Sequence, residues 1–333
     1  MTHQELQQES GTLTIRRDRL AMLQSRTMSN GIRAFLLWIR KHPRAAWLTL
    51  LIYTAIAIFP HERVQTLFGN LAKQIGRSNL YTVMAVISIA GGIWLSSVVL
   101  LSLRNKPQAG TIALFWSITV ALIALTWRLL TVNNVELVHY PQYLPSGMLL
   151  LALTYSPVES LAWVTILGGL DECWQYWGLH PGWGIPYDFN DIFMDLLGGA
   201  LGILLAIAFL DYGTQRQLPI TDFLRHLIRR RGVALVIAIV ISGIVLWSGG
   251  WMLLYEDKSN PRYWFALSRL LPKGFWFFDP SWGPRTIHTL SPVEGPLLIL
   301  LTLGIYSLLD RRITVGYASQ RTSERRSRPS FRS

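Results

Sequence analysis

Cysteine and charge are both scarce in this chain of 333 residues. Its single cysteine, Cys173, cannot form an intrachain disulfide, and one thiol does not suggest a thiolate metal site. Only 15% of the residues are charged, whereas an average soluble domain carries about 25%. The chain also has no glycine-rich phosphate loop, no serine nucleophile elbow and no paired-histidine zinc motif. These absences disfavour a soluble domain and leave no motif of a common soluble enzyme class.

Apolar residues, in contrast, are abundant and occur in long blocks. They make up 51% of the chain, and eight blocks reach or approach the roughly 20 residues that a helix needs to cross the bilayer core. A helix of a soluble bundle would carry a polar face, which these blocks lack. The pattern predicts an all-α, polytopic integral membrane bundle with about eight transmembrane helices, at residues 45–60, 80–103, 111–131, 135–153, 160–178, 190–210, 233–255 and 293–309.

Lys and Arg residues predict the orientation of these spans. With the N-terminus inside, the cytoplasmic segments hold 22 basic residues and the outside segments hold 8. This excess follows the positive-inside rule and predicts that both termini are cytoplasmic. The net charge of +12 then reflects topology, and no nucleic-acid partner is expected. Residues 1–30 lack the pattern of a cleavable signal peptide, so we expect a multi-pass protein of the inner (plasma) membrane.

The same pattern divides the chain into five segments. They are a cytoplasmic N-terminal segment (1–44), three helices (45–131), a core containing helices four to six (132–211), a unit with a basic cytoplasmic loop, two helices and an aromatic-rich outer loop (212–309), and a basic tail predicted to be disordered (310–333). The outer loop, residues 256–292, is expected to cap the outer end of the bundle. The alternative is that it acts as a substrate lid.

Ionisable and polar residues within the spans are few, and the topology places them in one leaflet. Charged groups in hydrocarbon cost about 2.5–3.5 kcal/mol each, and they persist mainly when they are paired or functional. Those near the predicted outer ends are Arg128 in the third span, Glu136 and His139 in the fourth, Asp171, Glu172 and Gln175 in the fifth, and Asp188, Asp191 and Asp195 at the start of the sixth. We expect them to form one outer-leaflet pocket.

Distinct roles are expected for these residues. Glu172 and Asp195 are the candidate acid and base, because two buried acids in different environments can hold different protonation states. His139 would relay protons, Arg128 would be the counter-ion, and the remaining side chains would bind the ligand. For Glu136, Asp188 and Asp191 the alternative is simple helix capping.

No metal or other cofactor is predicted for this pocket. The spacing of Glu136 and His139 matches one half of a carboxylate-bridged metal motif, but a second helix does not repeat it.

Three stretches together carry a family resemblance: VELVHYPQY (135–143), GGLDECWQYW (168–177) and HPGWGIPYDFNDIFMDLLGGALG (180–202). Over about residues 130–210 the chain resembles the VanZ-like membrane proteins. The matching positions are Glu136, His139, Tyr143, Asp171, Glu172, Gln175, Pro181, Gly182, Asp191 and Gly198. The chain departs from the family pattern at Trp183, where Arg is usual, and at Asp195, where Asn is usual. Its Pro-Gly turn is also longer by about three residues. The resemblance implies an envelope role linked to glycopeptide resistance, without specifying a reaction.

Three functions are compatible with this sequence. The first is binding of a lipid-linked or cell-surface precursor in the acidic outer pocket, with membrane lipids as partners. The second is an intramembrane hydrolase or transferase that acts on a lipid head group by carboxylate acid/base catalysis. The third is a proton-coupled transporter, although no matching chain of ionisable residues crosses the inner half of the spans.

Overall fold

The structure is a computed structural model that describes residues 30–104, 106, 108–182, 185–210, 212–214, 227–257, 259, 262–269, 274–278 and 285–315. The protein is mostly helical, which confirms the predicted all-α class. Its helices are α1 (30–41), α2 (Pro43–Ile58), α3 (His61–Ile75), α4 (Arg77–Leu103), α5 (Ala109–Leu129), α6 (His139–Thr154), α7 (Pro157–Cys173), α8 (Phe189–Phe209), α9 (Arg231–Ser248) and α10 (Glu294–Arg312). A 3₁₀ turn, Asn134–Val138, precedes α6, and a π-helical segment, Trp174–Leu179, continues α7.

Four of the helices, α4, α5, α8 and α9, are long and apolar enough to cross a membrane. Helices α2 and α3 together give a fifth candidate, with a bend of 47° between them. The four helices coincide with four of the predicted spans, so the architecture is compatible with a multi-pass membrane protein. Helices α2, α6, α7 and α10 lie at the other four predicted positions, but α2 and α6 contain only 16 residues each.

Helix α3 occupies a segment that the sequence pattern assigned to an outer loop, residues 61–79. Val64, Leu67, Phe68, Leu71 and Ile75 recur along it at helical spacing and form one apolar face. None of its residues is buried. The sequence analysis listed no helix in this segment, so α3 was not predicted. A search for blocks that are apolar all round cannot detect an amphipathic helix.

Helix α8 is the centre of the bundle. Its apolar window is 100% buried, compared with 11% for the window of α4. Glycines allow this close packing: a Cβ atom at Gly202 would lie 1.9 Å from the carbonyl oxygen of Leu144 in α6, and one at Gly147 would lie 2.0 Å from that of Gly199. Small residues at such crossings let helix backbones approach closely, and here they fix α6 against α8.

Two short strand pairs join segments outside the helices. Strand β1 (Tyr212–Thr214) pairs antiparallel with β4 (Ile313–Val315), and β2 (Met252–Leu253) pairs parallel with β3 (Phe265–Ala266). The sequence placed residues 310–315 in a disordered tail, but they form the last turn of α10 and strand β4. Residues 316–333 lie outside the described part of the chain.

The outer loop is fastened to the core by backbone hydrogen bonds. Tyr187 N–H donates to the carbonyl of Leu267 at 2.8 Å, and His288 N–H donates to the carbonyl of Leu129 at 2.7 Å. Arg269 donates to the carbonyls of Tyr176 and His180. These bonds hold the described part of the outer loop against the core, which favours the expected structural cap over the lid.

Candidate functional site

The candidate site lies where α6 begins, α7 ends and α8 begins, and His139 is at its centre. His139 Nδ1 lies 2.8 Å from Asp195 Oδ1, and its Nε2 lies 3.5 Å from Asp191 Oδ2. Asp191 and Asp195 are four residues apart in α8 and therefore share one face. Asp195 is fully buried and His139 is 5% exposed. The helices thus hold one imidazole between two carboxylates at a single depth.

Asp195 also presents an unused oxygen. Its Oδ2 is buried and has no hydrogen-bond partner among the described residues. A Cβ atom at Gly168 would lie 2.9 Å from this oxygen, so the glycine makes room for the carboxyl group. An unsatisfied polar atom in the interior costs about 1–3 kcal/mol. Such a cost is common where a ligand or a proton completes the site.

A second group of polar side chains surrounds the end of α7. Tyr143 Oη donates to Asp171 Oδ2 at 3.0 Å, and Gln175 Nε2 lies 2.9 Å from Glu172 Oε1 and 3.3 Å from Asp171 Oδ1. The other Glu172 oxygen accepts from the backbone N–H of Asp188 at 3.2 Å. Gln175 therefore reaches both carboxylates of this group.

Gln175 belongs to the π-helical segment Trp174–Leu179. Such segments are rare and frequently mark functional sites. The periodicity of the sequence did not predict this segment, because a π-helical turn within an apolar block does not change the pattern of apolar residues.

The structure does not bring Glu172 and Asp195 together as a direct pair. No hydrogen bond joins them, since Asp195 pairs with His139 while Glu172 bonds to Gln175 and the backbone N–H of Asp188. The structure therefore shows an Asp195–His139 pair, because the face of α8 that carries Asp195 meets α6, whereas Glu172 meets the chain that leads into α8. The acid and base roles expected for Glu172 and Asp195 remain a prediction.

Glu136 and Asp188 perform the capping roles that were the alternative for them. Glu136 accepts from the N–H of Val132 at 2.7 Å and from Asn133 Nδ2 at 3.2 Å. Asp188 precedes α8 and accepts from the N–H of Asn190 at 2.8 Å. Burial and the nearby charge of Asp191 raise the pKa of Asp188 to about 7. Both residues still border the cluster, so capping does not remove them from the site.

Arg128 does not take the expected place of counter-ion. Its side chain is exposed at the end of α5, and it pairs with none of the cluster's carboxylates. Among the described residues, no Lys or Arg forms an ion pair with these acids. The site therefore combines the imidazole of His139 with six carboxyl groups, those of Glu136, Asp171, Glu172, Asp188, Asp191 and Asp195.

Two features of the structure were not predicted from the sequence. His61, at the start of α3, lies close enough to His139 and Asp191 to interact with them electrostatically, and the sequence analysis did not include it among the site residues. At the opposite end of the bundle, Glu159 accepts from the N–H of Gly232 at 2.9 Å, and Asp310 accepts from the hydroxyl of Ser156 at 2.6 Å. A hydropathy pattern cannot show which loop acids become buried at a helix terminus.

Within the part of the chain that the structure describes, no group of three or more His, Cys, Asp or Glu residues is arranged to hold a metal ion.

Comparison of the chain with protein-family models, with curated proteins and with solved structures finds no match.

Proposed function

We propose that this chain is a VanZ-like, multi-pass protein of the inner (plasma) membrane whose acidic outer-leaflet pocket binds a lipid-linked or cell-surface envelope precursor. The observation that carries this proposal is His139 held between Asp195 and Asp191, with one Asp195 oxygen unpartnered. A buried polar group without a partner is costly in a stable core and useful in a binding site.

The proposed topology has eight spans with both termini in the cytoplasm. Four helices satisfy the length and hydropathy of a span. Helices α6 and α7 reach comparable lengths only with the flanking 3₁₀ and π-helical turns, which extend them to residues 134–154 and 157–179. The distribution of Lys and Arg supports this orientation. It would place the His139 cluster beneath the outer membrane surface and Glu159 at the inner one.

The charge of the pocket indicates which part of a precursor it would contact. Six carboxyl groups, with no Lys or Arg paired to them among the described residues, offer no cation to a bare phosphate. They favour hydroxyl and protonated amine groups, which donate hydrogen bonds to carboxylates. The pocket would therefore bind the sugar or amino portion of a head group, with the phosphates towards water.

A second candidate function, acid/base catalysis on a lipid head group, is favoured by one distance. The 2.8 Å bond between His139 Nδ1 and the fully buried Asp195 has the geometry in which a carboxylate orients an imidazole base. In this case His139 would be the catalytic base, and Asp195 would position it. The more exposed Nε2 side, next to Asp191, would face the substrate.

Charge-removing substitutions test both functions in a strain that depends on this gene. Asp195→Asn and Glu172→Gln keep side-chain shape and remove ionisation, and the exposed outer-loop change Asp257→Asn is the matched control. Susceptibility to a glycopeptide antibiotic and the abundance of the protein in membranes are measured together. We expect Glu172→Gln to abolish protection at unchanged abundance, and Asp257→Asn to have no effect. Asp195→Asn introduces the residue that is usual in VanZ-like proteins, so it should weaken protection without abolishing it.

Two other outcomes are informative. If both site variants protect as well as the wild type, the assignment of this pocket is wrong. If abundance falls in parallel with protection, the acids are structural, because a half-satisfied polar network destabilises a fold. His139→Gln separates binding from catalysis: a catalyst loses turnover while purified protein still retains its co-purifying lipid, whereas a binding protein loses the lipid.

A further inference from the structure

Helix α3 presents two exposed faces of opposite character. One face is polar, with side chains that recur at spacings of three and four residues: Glu62, Thr66, Asn70 and Lys73. The other face is apolar, and the Val64, Leu67 and Ile75 side chains on it are 40%, 57% and 43% exposed. At 3.6 residues per turn, the centres of the two faces lie about 150° apart around the helix axis. A continuous apolar stripe of this kind marks an interaction surface.

We propose that α3 lies in the outer surface of the membrane, with its apolar face on the lipid of the outer leaflet and its polar face in water. Nothing in this assignment depends on what the candidate site binds, although the leaflet follows from the proposed topology. The position of α3, the side on which it packs and the surface that its apolar face adjoins each support this assignment.

Both ends of α3 are held at the end of the bundle that contains the His139 cluster. Just before α3, the ring of Phe59 packs edge-on against Trp174 of the π-helical segment, with 5.4 Å between the ring centroids. Just after α3, the carbonyl of Tyr81 in α4 accepts from Asn134 Nδ2 at 2.7 Å, in the 3₁₀ turn that precedes α6. The chain also bends by 47° between α2 and α3. Helix α3, with 15 residues, therefore runs along one end of the bundle.

One side of α3 packs against the rest of the protein. This side adjoins the apolar face, is turned away from the polar face and consists of half-buried residues: His61, Phe68, Leu71 and Ala72. A helix in the plane of the membrane surface has this arrangement, because the bundle lies beside it, lipid below it and water above it. If α3 crossed the hydrocarbon instead, Glu62 and Lys73 would face lipid, where charged side chains are costly.

The apolar face of α3 is continuous with a surface that faces lipid in the proposed topology. A single residue, Gly76, separates α3 from α4, and the two helices contact each other. The apolar window of α4 is only 11% buried, and Val83, Val86 and Ile87 in its outer half are 46%, 59% and 61% exposed. One lipid leaflet would cover both apolar surfaces, whereas a water-soluble partner would have to stop where the bilayer begins.

Spin labels on single cysteines test the proposal in the full chain, reconstituted into bilayers of phosphatidylethanolamine and phosphatidylglycerol. Cys173→Ala removes the native thiol, and each label is attached at one exposed position of α3, introduced by Leu67→Cys, Ile75→Cys, Thr66→Cys or Asn70→Cys. Collisions with oxygen, which partitions into lipid, and with a water-soluble nickel chelate give the depth of each label. Ile87→Cys in α4 and Asp257→Cys in the outer loop, both exposed positions, are the matched controls for hydrocarbon and for water.

We expect the labels at Leu67 and Ile75 to lie about 5–10 Å into the boundary between head groups and acyl chains, at depths that differ by less than about 5 Å. The labels at Thr66 and Asn70 should meet the nickel chelate as often as the label at Asp257 does.

Three other results would overturn the proposal. Depths at Leu67 and Ile75 that differ by about 8–12 Å would show that α3 continues the membrane crossing of α2, since eight helical residues span that length. Shielding of the Leu67 label from both reagents would identify a protein partner or a second copy of the chain on the apolar face. Equal access of the nickel chelate to both faces would place α3 in water.

Discussion

Substituting Gly202→Ala tests the packing of α6 against α8 that holds the candidate site together. The new Cβ atom would lie 1.9 Å from the carbonyl oxygen of Leu144, whereas ordinary contact begins near 3.4 Å. The two helices would have to separate by about 1.5 Å, because a close-packed interior has no void to accept the methyl group. The atoms that the Cβ would meet belong to the backbone of Leu144, so a change of side-chain rotamer cannot relieve the clash.

Overpacking of this kind costs about 1–3 kcal/mol, and occasionally more. Here the separation would also stretch the 2.8 Å bond between His139 and Asp195, which joins the same two helices. Loss of that buried pair brings the expected total to at least about 3 kcal/mol. The midpoint of thermal unfolding should therefore fall by at least about 5 °C.

The assay is thermal unfolding of detergent-purified protein, and its readout is the fraction of protein that remains monodisperse after heating. Gly304→Ala in α10 is the matched control, since no atom lies within 4 Å of its added Cβ. Alanine is the better helix former, so this control should be neutral or stabilising by up to about 1 kcal/mol. If Gly202→Ala and Gly304→Ala unfold at the same temperature, the close approach of α6 and α8 is refuted.

Three further predictions concern residues away from that helix crossing. Glu159→Gln should lower stability by about 1 kcal/mol in the same thermal assay, because it removes the negative charge that caps the start of α9; an equal loss in the exposed Glu62→Gln would contradict this. Arg269→Lys should speed proteolysis of the outer loop in intact protein, since lysine cannot replace a guanidinium that lies 3.8 Å from the Tyr176 ring and also bonds two carbonyls; unchanged cleavage would contradict a fastening role. Because the pKa of Asp188 is raised to about 7 in the fold, its protonated form is favoured there, so it should make the protein less stable as pH rises from about 4 to 7. Asp188→Asn should reduce that loss in unfolding measured across this pH range, and an identical pH profile would show that the carboxyl group is not involved.

The helical class and the positions of most helices followed from the sequence. Helices α4, α5, α8 and α9 lie where long apolar blocks predicted spans, because a block that is apolar all round can satisfy its backbone in lipid only as a helix. Helix α3 was missed, since its polar face lowers its average hydropathy. Eight spans and cytoplasmic termini remain predictions.

The sequence predicted which residues gather at the candidate site better than it predicted which of them pair with each other. His139, Asp171, Glu172, Gln175, Asp191 and Asp195 do gather at one end of the bundle. Arg128 lies apart from them. Its position near the end of α5 could be predicted from the sequence, but the direction in which its side chain points could not. The hydrogen bond between Asp195 and His139 could not be predicted for the same reason. Helical spacing fixes which residues share a face, while the rotation of each helix depends on its neighbours.

The sequence by itself determined that this is a helical protein with apolar spans and a small set of acidic and histidine side chains near one set of helix ends. These properties depend on the composition of the chain and on the spacing of its residues, both of which are local features of the sequence. Only the tertiary structure decided that α8 is buried at the centre, that Asp195 bonds His139 and keeps one oxygen free, and that α3 runs along the end of the bundle that contains the candidate site. Those outcomes depend on how closely distant helices pack and on how each helix is rotated. Glycines such as Gly202 allow the close packing, but a linear sequence pattern does not show where it occurs.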